Sequence, residues 1–114
     1  MSSGVKNPRV VDLVTWDPKT NEFAVIMYED RPWSTESARL DELIEKINAY
    51  VHFVESGELT RRYPKALGQS VRLQLDCEQL PPAEVTELIE QAQKTLRIRG
   101  VTFVVNFIRP RQQT

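Results

Sequence analysis

The sequence predicts an α+β fold, a two-layer sandwich in which a four-stranded mixed sheet carries two helices on one face, in the order ββαβαβ. Three observations predict it. Two runs rich in β-branched and aromatic residues, 10–16 and 23–28, are separated by a turn signal. Two later stretches repeat apolar residues at spacings of three and four, each as a single stripe that needs one surface to pack on. Each of those stretches leads into a run with strand character.

The first strand is read at Val10–Trp16 (VVDLVTW) and the second at Phe23–Tyr28 (FAVIMY). DPKTN joins them: Pro18 presets φ for a turn, Asp17 can accept bonds from the backbone just ahead, and Asn21 tolerates a left-handed conformation. Polar EDRPW, with Pro32, ends the second strand, and Glu29, Asp30 and Arg31 read as a turn. Ser34 or Thr35 is the expected cap of the first helix, with Glu36 in its first turn. Leu40, Leu43, Ile44, Ile47, Val51 and Val54 form its apolar stripe, and Glu42 and Lys46 are spaced as a surface ion pair. Gly57 suits a left-handed stop.

Residues 57–69 read as a connecting loop. The third strand, Val71–Cys77, alternates Val71, Leu73, Leu75 and Cys77 inward with Arg72, Gln74 and Asp76 outward. LPPAEV opens the second helix, with Pro82 in its first turn and Val85, Leu88, Ile89, Ala92 and Leu96 as its stripe. Gly100 ends it, and Val101–Ile108 (VTFVVNFI) is the fourth strand. One domain over 9–108 is expected, with a disordered N-terminus at 1–8 and a polar tail at 109–114. Val104, Ile108, Ile26 and Tyr28 should lie on the sheet face away from the helices. An apolar patch there needs a cover, either loop and terminal residues or a second copy of the chain forming a homodimer through the open sheet face.

The 114 residues carry a net charge of −1, against the clustered basic excess that a general nucleic-acid binder needs. The charge is unevenly spread: residues 1–56 hold 6 basic and 10 acidic side chains, residues 57–114 hold 9 and 6. No apolar run approaches the ~20 residues of a membrane helix. The start, MSSGVKNPRV, has no apolar leader, and the lone Cys77 suits a reducing compartment, so a cytoplasmic protein is expected.

VDLVTWDPKTNEFAVIM, LIEKINAYVHFVESGEL and YPKALGQSVRLQLDC together resemble an uncharacterised family of small bacterial proteins known only as a domain of unknown function. The likeness spans about residues 10–107, and its most specific piece is KINAYVHFVESGEL running on to Tyr63-Pro64. It implies one compact bacterial domain and carries no site residues.

Nucleophilic catalysis needs a base beside the nucleophile. Cys77 and His52 are each the sole residue of their type. His52 falls on the polar helix face and Cys77 in an inward strand set, where a thiol acts as a small hydrophobe. No zinc set can be assembled, and Asp76 with Glu78 lacks the oxygen-rich loop of a calcium or magnesium site. The glycines are isolated and form no phosphate loop. No catalytic residue, metal or cofactor is therefore expected. Arg61, Arg62, Tyr63 and Lys65 cluster in the 57–69 loop and form the candidate ligand site, for an anion, a phosphate or an acidic segment. Trp16 and Trp33 flank the hairpin, where they can line a small cleft or, as the favoured reading, cover the core edge. The leading functional expectation is a non-catalytic protein-interaction module. A small anion-binding module is the alternative, and an enzyme with an unrecognised carboxylate site is the third.

Overall fold

The computed structural model describes residues 4–108; the tail expected at 109–114 lies outside them. Four strands form one sheet in the order β1-β2-β3-β4, which is also their order in the chain: β1 Leu13–Asp17, β2 Glu22–Glu29, β3 Ser70–Cys77 and β4 Thr102–Phe107. β1 and β2 form an antiparallel hairpin; β2 with β3 and β3 with β4 are parallel, so the sheet is mixed as predicted. The hairpin turn forms as its residues dictate. Asp17 Oδ1 accepts the Lys19 N–H at 3.0 Å, and Asn21 takes φ 56°.

Two long helices, α1 Ser37–Glu55 and α3 Ala83–Ile98, carry the parallel crossovers. The core lies between them and the sheet. It joins Phe23, Val25 and Met27 of β2, Leu73 and Leu75 of β3 and Phe103 of β4 to Leu43, Ile47, Val85, Ile89 and Leu96. Full burial of each such side chain stabilises the fold by about 1.5–3 kcal/mol before entropy is counted.

Four expectations are corrected. The 57–69 connection is folded: it holds the short helix α2, Glu58–Arg62, and a 3-10 turn at Pro64–Ala66, anchored by buried Leu59 and Ala66. The first helix begins later than Ser34 or Thr35. Its cap is Glu36, without a side-chain bond, while Ser34 Oγ accepts the Glu36 N–H at 3.2 Å.

The buried face of α1 is also turned from the predicted stripe. Ile44 is exposed, whereas Lys46, Tyr50 and Phe53 are buried. Lys46 is therefore no surface partner of Glu42; its side chain is 0% exposed, and Glu42 instead meets Arg31 and Arg39. Finally, residues 4–8 do not fray. Gly4 donates its N–H to Asp12 Oδ1 at 2.9 Å, the Val5 N–H bonds Tyr28 O at 2.9 Å, and Val5 enters the core. Gly4 has φ +102°, and a Cβ there would stand 3.2 Å from Tyr28 O, so this close approach requires glycine.

Candidate functional site

Three groups of titratable side chains find most of their partners within the molecule; Arg39 Nε is buried without a hydrogen bond, 3.5 Å from Glu42 Oε1. Asp12, Lys46 and Tyr50 form a buried hub. Lys46 Nζ donates to Asn7 O (2.7 Å), Val10 O (2.6 Å) and Asp12 Oδ1 (3.0 Å). Asp12 Oδ2 accepts the Tyr28 N–H at 2.9 Å, while Tyr50 Oη accepts the Asp12 N–H and donates to Ile26 O. Burial pushes the Lys46 ammonium down, with Asp12 opposing, and pushes the Tyr50 phenol up. Each bond ties one segment of the chain to another, so the hub is a structural clasp.

A second group sits at the carboxyl end of β2. Glu29, only 2% exposed, takes a two-pronged bond from Arg31 (2.9 and 2.8 Å) and a third from Arg39 (3.2 Å). Arg31 also reaches Glu42 at 2.9 Å, and its charge is held more firmly than usual, chiefly by Glu29. The run read as a turn is thus a strand end carrying a buried carboxylate. Beside it Trp33 donates to Gln79 O at 2.7 Å. Cys77 is buried, and desolvation pushes its thiol up, away from nucleophilic use. His52 is exposed and borders a different hollow with Arg9, Phe53 and Arg62. No three His, Cys, Asp or Glu side chains stand together as a metal set among the described residues.

The sheet face opposite the helices holds the third group. Arg72 donates to Thr20 (3.0 Å), Glu22 (3.2 Å) and Gln74 (2.9 Å), and pairs with Asp17 at 3.0 Å. Gln74 donates to Asp76 Oδ1 at 2.8 Å, and Asn106 donates to the same oxygen at 3.2 Å. The Lys19 N–H and then Arg72 hold the Asp17 carboxyl below its usual range. Tyr28 donates to Glu78, a bond that pushes the phenol up to about 12. Because β3 lies between β2 and β4, this polar row separates Ile26 and Tyr28 from Val104. The face is not the continuous apolar patch that the sequence suggested.

The four candidate loop residues are not brought together. Arg61 and Arg62 both turn to Glu58, at 2.6 and 3.3 Å, and Arg62 lies 5.9 Å from the Phe53 ring centre. Tyr63 is partly exposed, and Lys65 borders a separate hollow with Trp16, Phe23 and Gln69. Trp16 stands against Phe23 with ring centres 5.1 Å apart.

Two surfaces carry unspent apolar side chains. One is a groove of about 400 Å³ between α1 and α3, lined by Ile44, Ile47, Val51, Leu88, Ala92 and Leu96. The other is the outer edge of β4. The Ile108 N–H bonds Cys77 O at 2.8 Å, so even-numbered residues of β4 turn their backbone groups toward β3. Phe103, Val105 and Phe107 therefore turn theirs outward. Gln93 Nε2 donates to Phe103 O at 3.1 Å, which leaves Val105 and Phe107. These two residues are 36% and 45% exposed, and Leu80, in the loop after β3 at the same end of the sheet, is 76% exposed. The strand has no Lys, Pro or other charge from Thr102 to Phe107, the devices that ordinarily blunt an edge. Val105 and Phe107 share the helix side of the sheet with Phe103, and their exposure follows from the place of β4 at the edge of the described sheet, which periodicity does not give.

No curated protein and no solved structure matches the chain. A family model, described as a family of unknown function (DUF6572), matches residues 2–109. With nearly the whole chain inside that match, the protein is a member of the DUF6572 family.

Proposed function

We propose that this protein is a non-catalytic interaction module that takes an extended segment of polypeptide along the outer edge of β4. The observation that supports the reading is the β4 edge itself: outward backbone groups at Val105 and Phe107, exposed apolar side chains on the same residues, and no charge to repel a strand. Added strands gain affinity from main-chain bonds and specificity from alternate side chains. The closure of the Asp12, Glu29 and Arg72 groups on internal partners favours contact over chemistry. A cytoplasmic setting accords with the free Cys77, and a bacterial origin belongs to the same reading through the family resemblance.

The test is a selection from a random-peptide display library with the folded protein as bait. The expected result is enrichment of uncharged, β-prone peptides whose capture is lost with Val105→Lys. Equal enrichment on the Val105→Lys bait overturns the reading. The anion alternative, centred on Arg61, Arg62, Tyr63 and Lys65, has less support because the four side chains do not converge: Arg61 and Arg62 share Glu58, while Lys65 borders a separate hollow. Thermal shift with inorganic phosphate, in parent and Arg61→Ala/Arg62→Ala proteins, tests it.

A further inference from the structure

We infer that the segment occupying the β4 edge is the β4 strand of a second copy of this chain, running antiparallel, with Val105 of each copy on the two-fold axis. The inference rests on the strand-addition reading above and names its partner. A two-fold axis perpendicular to the sheet leaves the helices of both copies on one side. Residues opposite one another must then share a face, which restricts the register to pairs whose numbers have an even sum. Within β4, centring on Val105 alone pairs all three outward-facing residues with one another, Val105 with Val105 and Phe103 with Phe107, and sets Val104 against Asn106.

The backbone agrees with that register. Val105 is an outward-facing residue, so two copies can exchange both N–H···O=C bonds at the axis as a hydrogen-bonded pair. The Phe103–Phe107 pairs on either side face outward too; Phe103 O keeps one lone pair beside its bond from Gln93. On the helix side the apolar residues oppose one another, Val105 to Val105 and Phe103 to Phe107, the aromatic and β-branched pairings that stabilise strands. The strand itself contains no charged residue, so no like charges meet within the paired segment. At the opposite edge β1 is shorter, five residues, and ends in Asp17, which Arg72 already holds. The two four-stranded sheets would thus join through β4 into one continuous sheet.

Val105→Cys tests this directly, because a residue on the axis forms a disulfide with its own copy. Hydrogen-bonded antiparallel pairs place Cα atoms about 5.5 Å apart, within disulfide reach. Cys77 is buried and does not compete. The expected results are a covalent dimer of Val105→Cys under mild oxidation, none for Thr15→Cys on β1, and a light-scattering mass for the parent of twice the 13.2 kDa chain. Val105→Lys should restore the single-chain mass with an unchanged far-ultraviolet circular dichroism spectrum. A parent that stays at one chain mass at high concentration overturns the second-copy inference, as does a Val105→Lys protein that remains dimeric. A monomeric parent that still selects peptides through Val105 leaves the strand-addition reading standing. A monomeric parent without that selectivity overturns both.

Discussion

Replacing Lys46 with methionine probes the clasp that joins the N-terminal segment to α1. The side chain is 0% exposed and its partner Asp12 is 6% exposed, so little solvent is available to either. Methionine keeps the length and apolar stem but removes three donated bonds, to Asn7 O, Val10 O and Asp12 Oδ1. Breaking a buried pair on one side costs about 3–5 kcal/mol because the remaining charge is uncompensated. That is a large share of the ~5–15 kcal/mol by which domains are stable. With a urea m-value of about 2 kcal/mol/M, the midpoint should fall by about 2 M. Asp12→Asn in the same protein removes the stranded charge, so the double variant should recover part of the loss, with a coupling of about 2 kcal/mol in a double-mutant cycle. The pH dependence has a defined sign. Burial lowers the folded-state pKa of Lys46 below its ordinary 10.5, so the unfolded chain binds this proton more tightly. Its own contribution therefore makes stability rise with pH between the lowered folded value and 10.5, a slope that Lys46→Met should lack. A loss under about 1 kcal/mol, or strict additivity with Asp12→Asn, would refute the reasoning.

Three further outcomes are expected. The Tyr28 phenol is raised from 10.0 to about 12, so its bond to Glu78 contributes stability in full below pH 10 and loses it as pH rises through about 12. Tyr28→Phe should be less stable at neutral pH and show a shallower decline across that window, read by denaturant titration at each pH. Asp17 is lowered from 3.8, so its share of stability is present above that value and lost as pH falls through the folded pKa; Arg72→Ala should weaken this acid dependence. Cys77 should resist alkylation by iodoacetamide at pH 8 in the folded protein and react on unfolding in urea, as followed by intact mass; rapid native modification would contradict its burial.

The architecture was legible because it depends on period and punctuation. The alternation at Val71–Cys77 and the stripe at Val85–Leu96 each name their element and its buried side. α1 was misread in rotation because a stripe of apolar letters gives no weight to lysine. Lys46 faces inward only because Asp12 and two backbone carbonyls converge there, and those partners lie 34–39 positions away. Glu29 was missed for the same reason: its burial depends on Arg31 and on Arg39 ten residues ahead. The Arg61–Lys65 cluster looked like a site because adjacency in sequence suggested convergence, whereas a turn of helix sends Arg61 and Arg62 to Glu58 and leaves Lys65 elsewhere. The exposure of β4 followed from strand order, which periodicity alone does not give.

Strand order that matches chain order has a consequence for how this molecule is made. No strand has to thread between two already laid down; each arrives at the free side of its predecessor. β4 turns outward the same kind of backbone row that β3 presents to it. Among the described residues, then, strand order alone supplies no element that closes the sheet beyond β4.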